Sequence, residues 1–225
     1  MAKLSANLVN HAFWLTEFGL TIDLALANSD LNQVRQDIIA ENIYSAATKV
    51  RLKQQAGVVT RRVNALAPAW WELFDQLDPS NQCLVNLIAI MATEPLIYTF
   101  ILDVFRQELI LGDRRIEPYE MVAFFNRLSL NHEEVAQWRD QTVKKLQSTI
   151  RNYLRSARLV ADDHEALVLQ GYILDQRLVN LLQDDNKQDY LAWIIHLGIW
   201  DMKSHLAGLK ATFGALRILT ERRSW

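Results

Sequence analysis

The chain has 225 residues, half of them apolar, and a formal net charge of −2. This length accommodates one large domain or two small ones with a sizeable core. The balance of charge excludes a protein that binds nucleic acid through overall positive charge. The single cysteine, Cys83, excludes a disulfide framework or a cysteine-based metal site within one chain. A lone cysteine fits a reducing compartment, so a cytoplasmic location is expected.

Helical periodicity dominates the first third of the chain. Glycine and proline are scarce, with 7 and 4 residues, and alternating strand patterns are nearly absent, so the sequence predicts a mostly α-helical bundle. Apolar spacing predicts a first helix from Leu8 to about Asn28, and Asp30 is placed to cap a second. A narrow apolar stripe predicts a long third helix; its members are Leu52, Ala56, Val59, Val63, Leu66 and Trp70.

The middle of the chain is apolar and interrupted. Asp78-Pro79-Ser80 is the clearest break and predicts an internal boundary. Residues 83–102 form the longest apolar run, but this run contains Glu94 and Pro95. Two buried helices meeting near Pro95 are therefore predicted rather than a membrane span.

Capping signals place the helices that follow. Gly112 predicts a helix stop, and Pro118 fits the first turn of the next helix. Asn131 with Glu134 three residues on resembles a capping box, and Asp140 is a plausible N-cap for a helix after it.

Residues 140–161 predict a helix with two chemically different faces. One face is apolar and consists of Val143, Leu146, Ile150, Tyr153, Leu154 and Ala157. A second face is cationic and consists of Lys144, Arg151, Arg155 and Arg158. Lys145, Gln147 and Ser148 add groups that can reach phosphates or base edges. This pattern is typical of the recognition helix of a winged helix-turn-helix. A cationic face is also often simply exposed to solvent, without a ligand.

Positive charge is concentrated in two places. Residues 45–71 also contain no acidic residue but five basic ones, which are Lys49, Arg51, Lys53, Arg61 and Arg62. Together with residues 141–161, this stretch holds ten of the 24 basic residues and none of the 26 acidic ones. Such clustering is the electrostatic signature of a nucleic-acid surface.

The segment after the cationic helix has the pattern of a small β-hairpin. Residues 158–160 and 166–173 flank a polar turn, and a hairpin in this place would form a wing, although part of the second flank is equally compatible with a helix. The chain is therefore divided into an N-terminal helical subdomain with a basic helix (1–78), a winged helix-turn-helix-like subdomain (79–182) and a C-terminal helical extension (183–225).

The sequence offers little that would support catalysis. His132 has no second histidine at metal-protease spacing, His196 and His205 lack carboxylates at ligand spacing, and no nucleotide or nucleophile loop motif is present. Trp70 and Trp71 have the types of side chain that stack on bases, but their spacing favours the core. No catalytic residue, metal or cofactor is therefore expected.

Several stretches carry a further pattern of apolar and basic positions. They are residues 43–51 and 61–63, residues 98–106 before the Gly112 loop, and residues 135–138, 142–146, 153–155 and 159–160. Over residues 10–182 the chain resembles the BrxA family, the small proteins of BREX bacteriophage-exclusion systems. The resemblance implies a non-enzymatic, helical protein that binds double-stranded DNA and acts alongside a methyltransferase, an ATPase and a phosphatase-like protein.

Binding of duplex DNA through its phosphates is thus the leading expectation. No association of the protein with a membrane is expected. The residues expected to contact DNA are Lys49, Arg51, Lys53, Arg61, Arg62, Lys144, Lys145, Gln147, Ser148, Arg151, Arg155 and Arg158. Two alternatives stay open, a scaffold within the defence complex and an RNA-binding protein.

Overall fold

The computed structural model describes residues 3–185 and the single residues 190 and 194, so most of the predicted C-terminal extension lies outside the described part. The prediction of a mostly α-helical protein is confirmed. The elements in chain order are a 3₁₀ helix (Ala6–Asn10), α1 (Leu15–Ala27), α2 (Leu31–Glu41), α3 (Lys49–Asn64), α4 (Pro68–Phe74), α5 (Pro79–Thr93), α6 (Pro95–Phe100), a π-helix (Ile101–Phe105), α7 (Arg106–Leu111), β1 (Arg115–Ile116), α8 (Pro118–Asn131), α9 (Glu133–Ala136), α10 (Asp140–Ser156), β2 (Val160–Asp163), β3 (Ala166–Leu169) and α11 (Gln176–Asp184).

The first long helix starts later than the periodicity predicts. α1 begins at Leu15, after the 3₁₀ helix and a break that includes Trp14, whose φ is 52°. The guanidinium of Arg62 donates hydrogen bonds to the carbonyls of Ala12 and Phe13 at 3.0 and 2.8 Å. These carbonyls bind a distant side chain instead of continuing a helix, which local periodicity does not reveal.

The second and third helices follow their sequence signals. The carboxylate of Asp30 accepts hydrogen bonds from the backbone N–H groups of Asn32 and Gln33 and caps α2, as predicted. Every residue of the predicted apolar stripe is buried. Trp70, however, belongs to α4, because Pro68 starts a new helix at its first position.

α5 and α6 are buried and meet at Pro95, as predicted. The helical run continues from α6 through the π-helix into α7 and ends at Gly112, which has the left-handed φ of 82°. No single helix in the described part of the chain is long and apolar enough to cross a membrane, although α5 and the run up to Leu111, bent by 112°, meet those criteria as a pair.

The predicted hairpin is present and belongs to a three-stranded antiparallel sheet. β2 pairs with β3, with Val160 opposite Leu169, and β1 pairs along the other edge of β3, with Ile116 opposite Leu167. The resulting strand order is β1-β3-β2. β1 was not predicted, because two residues are too short to show alternation.

The predicted caps near α9 and α10 are wrong. Asn131 is the last residue of α8, and Glu134 accepts a hydrogen bond from the backbone N–H of Leu4 at 3.1 Å instead of closing a capping box. α10 has Arg139 at its N-cap, and Asp140 is its first helical residue. The second correction is a shift of one residue and leaves the predicted faces of α10 unchanged.

Buried apolar side chains form one continuous cluster across the described residues. The ring of Phe13 lies edge-on to that of Tyr153 in α10, with centroids 6.0 Å apart. Asp78, in the predicted boundary, is the N-cap of α5, where its carboxylate accepts from the N–H groups of Ser80 and Asn81. The core therefore continues across this helix start.

Candidate nucleic-acid interface

α10 has the two faces that the sequence predicts. Its buried face consists of Leu146, Ile150, Tyr153 and Leu154. Lys144, Lys145, Ser148 and Arg155 are exposed on the other side, and Gln147 and Arg151 are half-buried. The apolar face anchors the helix in the core, so the polar face is held toward solvent on a rigid element.

Lys144 and Lys145 are the cations of this face that remain available. Neither makes a hydrogen bond or ion pair with another side chain in the described part of the chain. Both lie in the first turns of α10, where the helix dipole also favours an anion. They are therefore free to approach an anionic ligand.

The hairpin that follows α10 folds back on its last turns. Arg155 forms an ion pair with Asp162 of β2 at 2.6 Å, and Arg151 donates a hydrogen bond to the carbonyl of Glu165 at 2.7 Å. The hairpin thus holds both guanidinium groups in place. It also sets acidic groups beside the cationic face, which reduces the positive potential there.

Arg158 lies just beyond α10, in the left-handed conformation with a φ of 59°. Its exposed guanidinium donates a hydrogen bond to the hydroxyl of Ser80 on α5 at 3.0 Å. Arg158 is therefore at the surface, at the junction of α10 and α5 rather than in the middle of the cationic face.

The predicted cations of α3 separate into exposed and engaged groups. Lys49, Arg51 and Lys53 are exposed and make no side-chain hydrogen bond or ion pair in the described part of the chain. Arg61 is 53% exposed and donates to Glu94 at 3.0 Å. The N-terminal half of α3 thus carries the free positive charge of this helix.

Arg62 is not a surface residue, and its prediction as a DNA contact is wrong. Its side chain is fully buried. Besides the two carbonyls, its guanidinium donates to the hydroxyl of Tyr153 at 3.2 Å and packs against the rings of Trp14 and Tyr153. Burial lowers the pKa of Arg62. A buried cation with these partners cannot reach a phosphate.

Arg62 and Tyr153 instead join the two cationic helices. The Tyr153 hydroxyl accepts from Arg62 of α3 and donates to the carbonyl of His11 at 3.0 Å. Burial raises the pKa of Tyr153 to about 12, so the hydroxyl keeps its proton at neutral pH. The polar cluster of Arg62, Tyr153 and the backbone at His11 to Phe13 therefore fixes the position of α10 relative to α3.

The sequence contained a partial signal for this role of Arg62. At 100° per residue, Arg62 lies about 40° from Leu66, at the edge of the apolar stripe, whereas Arg61 points away from it. Arg115, which the sequence placed in the loop after Gly112, lies in β1, and its pairing was not predicted. It bridges Glu117 and, at 2.6 Å, Asp163 of the hairpin, and this pairing lowers the pKa of Asp163.

The other chemistries considered from sequence find little support in the described residues. Trp70 and Trp71 are buried, which confirms their assignment to the core. Burial raises the pKa of Cys83, which disfavours a reactive thiolate. No group of three or more potential ligand side chains is placed to hold a metal within the described part, and His196 and His205 lie outside it.

A buried carboxylate in α7 makes stability depend on pH. Glu108 of α7 is 6% exposed, and burial together with a hydrogen bond to Glu120 raises its pKa to about 7. A raised pKa means that the stabilising contribution of protonated Glu108 is present below its ordinary pKa of 4.5 and is lost as the pH rises through about 7.

We therefore expect Glu108→Gln to stabilise the protein at pH 8 and to have little effect at pH 5. The expected gain at pH 8 is about 1–2 kcal/mol, because Gln replaces an ionised group that repels Glu120. Thermal unfolding at both pH values measures it. Glu41→Gln, at the exposed end of α2, should change the free energy of unfolding by the same amount at both pH values. If the two variants showed the same change between pH 5 and pH 8, the assignment of this pH dependence to Glu108 would be contradicted.

Three comparisons with known proteins bear on identity. The BrxA family model matches residues 2–186. A protein of Bacillus cereus (strain H3081.97) named "BREX protein BrxA" is 28% identical over 114 residues, which are 51% of this chain and 57% of that relative. The matched region thus spans little more than half of the relative's length.

A solved structure has the same fold. The crystal structure of an uncharacterized protein from Magnetospirillum magneticum superposes with a TM-score of 0.72, at 16% identity, over 86% of this chain and 98% of that one. At this identity the likeness concerns the fold alone. The match of the family model over most of the sequence shows that the chain belongs to the BrxA family.

Proposed function

We propose that this protein is a non-enzymatic, cytoplasmic component of a BREX phage-defence system and that it binds double-stranded DNA. Its membership of the BrxA family and the name of the Bacillus cereus relative support the place in a BREX system. The solvent-facing cationic side of α10 is the observation that carries DNA binding.

The order of elements around α10 supports this reading. α7 is followed by β1, then α8, α9 and α10, and then the hairpin of β2 and β3, with the strand order β1-β3-β2. Apart from the one-turn helix α9, this is the order of a winged helix-turn-helix domain, in which the helix before the hairpin enters the major groove. By this likeness we assign that role to α10.

Phosphate contacts would supply most of the affinity. Lys144 and Lys145 are free to approach the backbone of DNA, and Arg151, Arg155 and Arg158 extend the positive charge along the helix. Gln147 and Ser148 face the same side, where they can reach base edges. The exposed cations of α3, which are Lys49, Arg51, Lys53 and Arg61, would contact the adjacent backbone.

The acidic hairpin makes a testable prediction within this proposal. Asp162→Asn is expected to tighten DNA binding by about three- to tenfold at low salt, because it removes a negative charge beside α10 and releases Arg155. Fluorescence anisotropy with a labelled duplex measures the change. Asp184→Asn makes the same charge change on α11 and should leave affinity nearly unchanged; equal effects would count against contact at the hairpin.

A second candidate is a scaffold that docks on other BREX proteins, which by family resemblance include a methyltransferase, an ATPase and a phosphatase-like protein. Exposed apolar side chains favour it: Leu111, Tyr119 and Leu130 are 74, 69 and 85% exposed. Co-purification with those proteins that survives nuclease and moderate salt would support this candidate.

A competition titration tests the choice of nucleic acid. A labelled DNA duplex bound to the full chain is challenged with unlabelled DNA or RNA duplexes of the same sequence. We expect DNA to displace the probe at a concentration at least about tenfold lower than RNA, since the cationic helix fits the major groove of B-DNA and not the deep, narrow groove of A-form RNA. More effective competition by RNA would assign the surface to RNA instead.

A further inference from the structure

A polar pocket of about 500 Å³ lies where the 3₁₀ helix, α3 and the junction of α5 and α6 meet. Of the residues predicted to contact DNA, only Arg61 lines it. The side chains that matter for its chemistry are Lys3, Asn10, His11, Gln54, Arg61 and Glu94. The 3₁₀ helix that forms one wall also packs on α10, so the pocket lies beside the cationic helices.

Glu94 places a negative charge in the wall of this pocket. Its side chain is 8% exposed, and one carboxylate oxygen lies 3.0 Å from the guanidinium of Arg61 and 3.3 Å from Nδ1 of His11. The His11 side chain is 9% exposed, and its Nδ1 is buried without a well-directed hydrogen bond.

The rim of the pocket carries groups that are free to bind. Lys3, Asn10 and Gln54 are exposed, and none of these side chains makes a hydrogen bond in the described part of the chain. Each amide offers two donors and an acceptor, and the lysine offers a positive charge. Cations, amides and a carboxylate thus converge on one concavity of a size suited to a small ligand.

We propose that this pocket binds a single nucleotide whose base carries an exocyclic amino group. Lys3 and Arg61 pair with its phosphate. The amides of Asn10 and Gln54 form hydrogen bonds with polar edges of the base and sugar. Glu94 accepts a hydrogen bond from the amino group. The carboxylate disfavours a bare anion such as inorganic phosphate. The nucleotide enters free or as an unpaired nucleotide of a strand, and the proposal does not depend on duplex binding.

Calorimetric titration of the full chain with dCMP, dUMP and inorganic phosphate tests the chemistry. dCMP and dUMP differ in the amino or carbonyl group at C4 of the base. We expect dCMP to bind with a dissociation constant below about 1 mM, dUMP at least tenfold more weakly, and phosphate without detectable heat. No binding of dCMP, or equal binding of dCMP and dUMP, would overturn the proposal.

Variants locate the site. Asn10→Ala with Gln54→Ala should weaken dCMP binding at least tenfold, whereas Asn64→Ala with Gln36→Ala, an exposed pair outside the pocket, should not. Unchanged binding in the pocket pair would place the nucleotide elsewhere. The variant with both Asn10→Ala and Gln54→Ala leaves the lysines of α10 intact. If it loses dCMP binding but still binds duplex DNA, the pocket is a site separate from the proposed DNA surface.

An oligonucleotide distinguishes the two sources of the nucleotide. A single-stranded tetramer of dC that binds more tightly than dCMP, and loses affinity in the same pocket variant, assigns the pocket to an unpaired nucleotide of a strand. Weaker or equal binding of the tetramer assigns it to a free nucleotide. Either result supports a nucleotide site, and insensitivity of both ligands to the pocket variant overturns it.

Discussion

Arg62→Ala is expected to destabilise the protein by about 3–5 kcal/mol, which corresponds to a fall in Tm of about 6–20 °C. The variant removes a fully buried side chain and takes one donor from each of the carbonyls of Ala12 and Phe13. The Phe13 carbonyl still accepts from the Asn86 amide at 2.8 Å, and the Ala12 carbonyl still accepts from the Tyr153 hydroxyl at 3.3 Å. The variant also removes a partner of the Tyr153 hydroxyl. Chemical and thermal unfolding measure the loss.

Arg51→Ala provides the matched control, since it removes an exposed arginine from the same helix. We expect a change within about 0.5 kcal/mol for this variant. Arg62→Lys, which keeps the charge but loses the forked donor geometry, should lie between the two. If Arg62→Ala were as stable as Arg51→Ala, the buried cluster that joins α3 and α10 would not hold the two helices together.

Replacing both Lys144 and Lys145 with alanine is expected to weaken duplex-DNA binding about ten- to a hundredfold at moderate salt. Each lysine lost should also make the slope of log affinity against log salt less negative by about 1, because one fewer phosphate is neutralised. Neither side chain has a partner in the described part of the chain, so the fold should be unaffected. Anisotropy titrations with unrelated sequences should show the same loss.

The control for this variant is Arg35→Ala with Arg177→Ala. It removes the same charge from α2 and α11, neither of which supplies a predicted DNA contact. Arg177 also pairs with Asp175 at 2.7 Å, so thermal unfolding of this variant checks that its fold is retained. A small, equal decrease in both double variants would indicate that only net charge matters. No decrease after the loss of Lys144 and Lys145 would remove α10 from the DNA surface.

The features that sequence predicted well are those fixed by local periodicity and capping. The faces of α10, the cap at Asp30, the helix stop at Gly112 and the hairpin after α10 each depend on residues close together in the chain. Apolar spacing also identified the core side of α3, since a helix that packs by one face must place apolar residues at that spacing.

Features that depend on distant residues could not be read in the same way. The break before α1 turns the carbonyls of Ala12 and Phe13 toward Arg62, about 50 residues further on, which donates a hydrogen bond to each. The pairing of Arg155 with Asp162 requires the hairpin to fold back on α10. A count of charges treats each arginine as an available cation, whereas burial and pairing decide which of them can reach a ligand.

The salt dependence of duplex binding by the full, unmodified chain tests the proposed function most directly. A labelled DNA duplex is titrated by anisotropy at several salt concentrations, and log affinity is plotted against log salt. We expect measurable binding at low salt and a slope of about −4.5 or steeper, as for contacts with five or more phosphates. Absence of binding at low salt, or affinity that does not change with salt, would contradict DNA binding through the cations of α10 and α3.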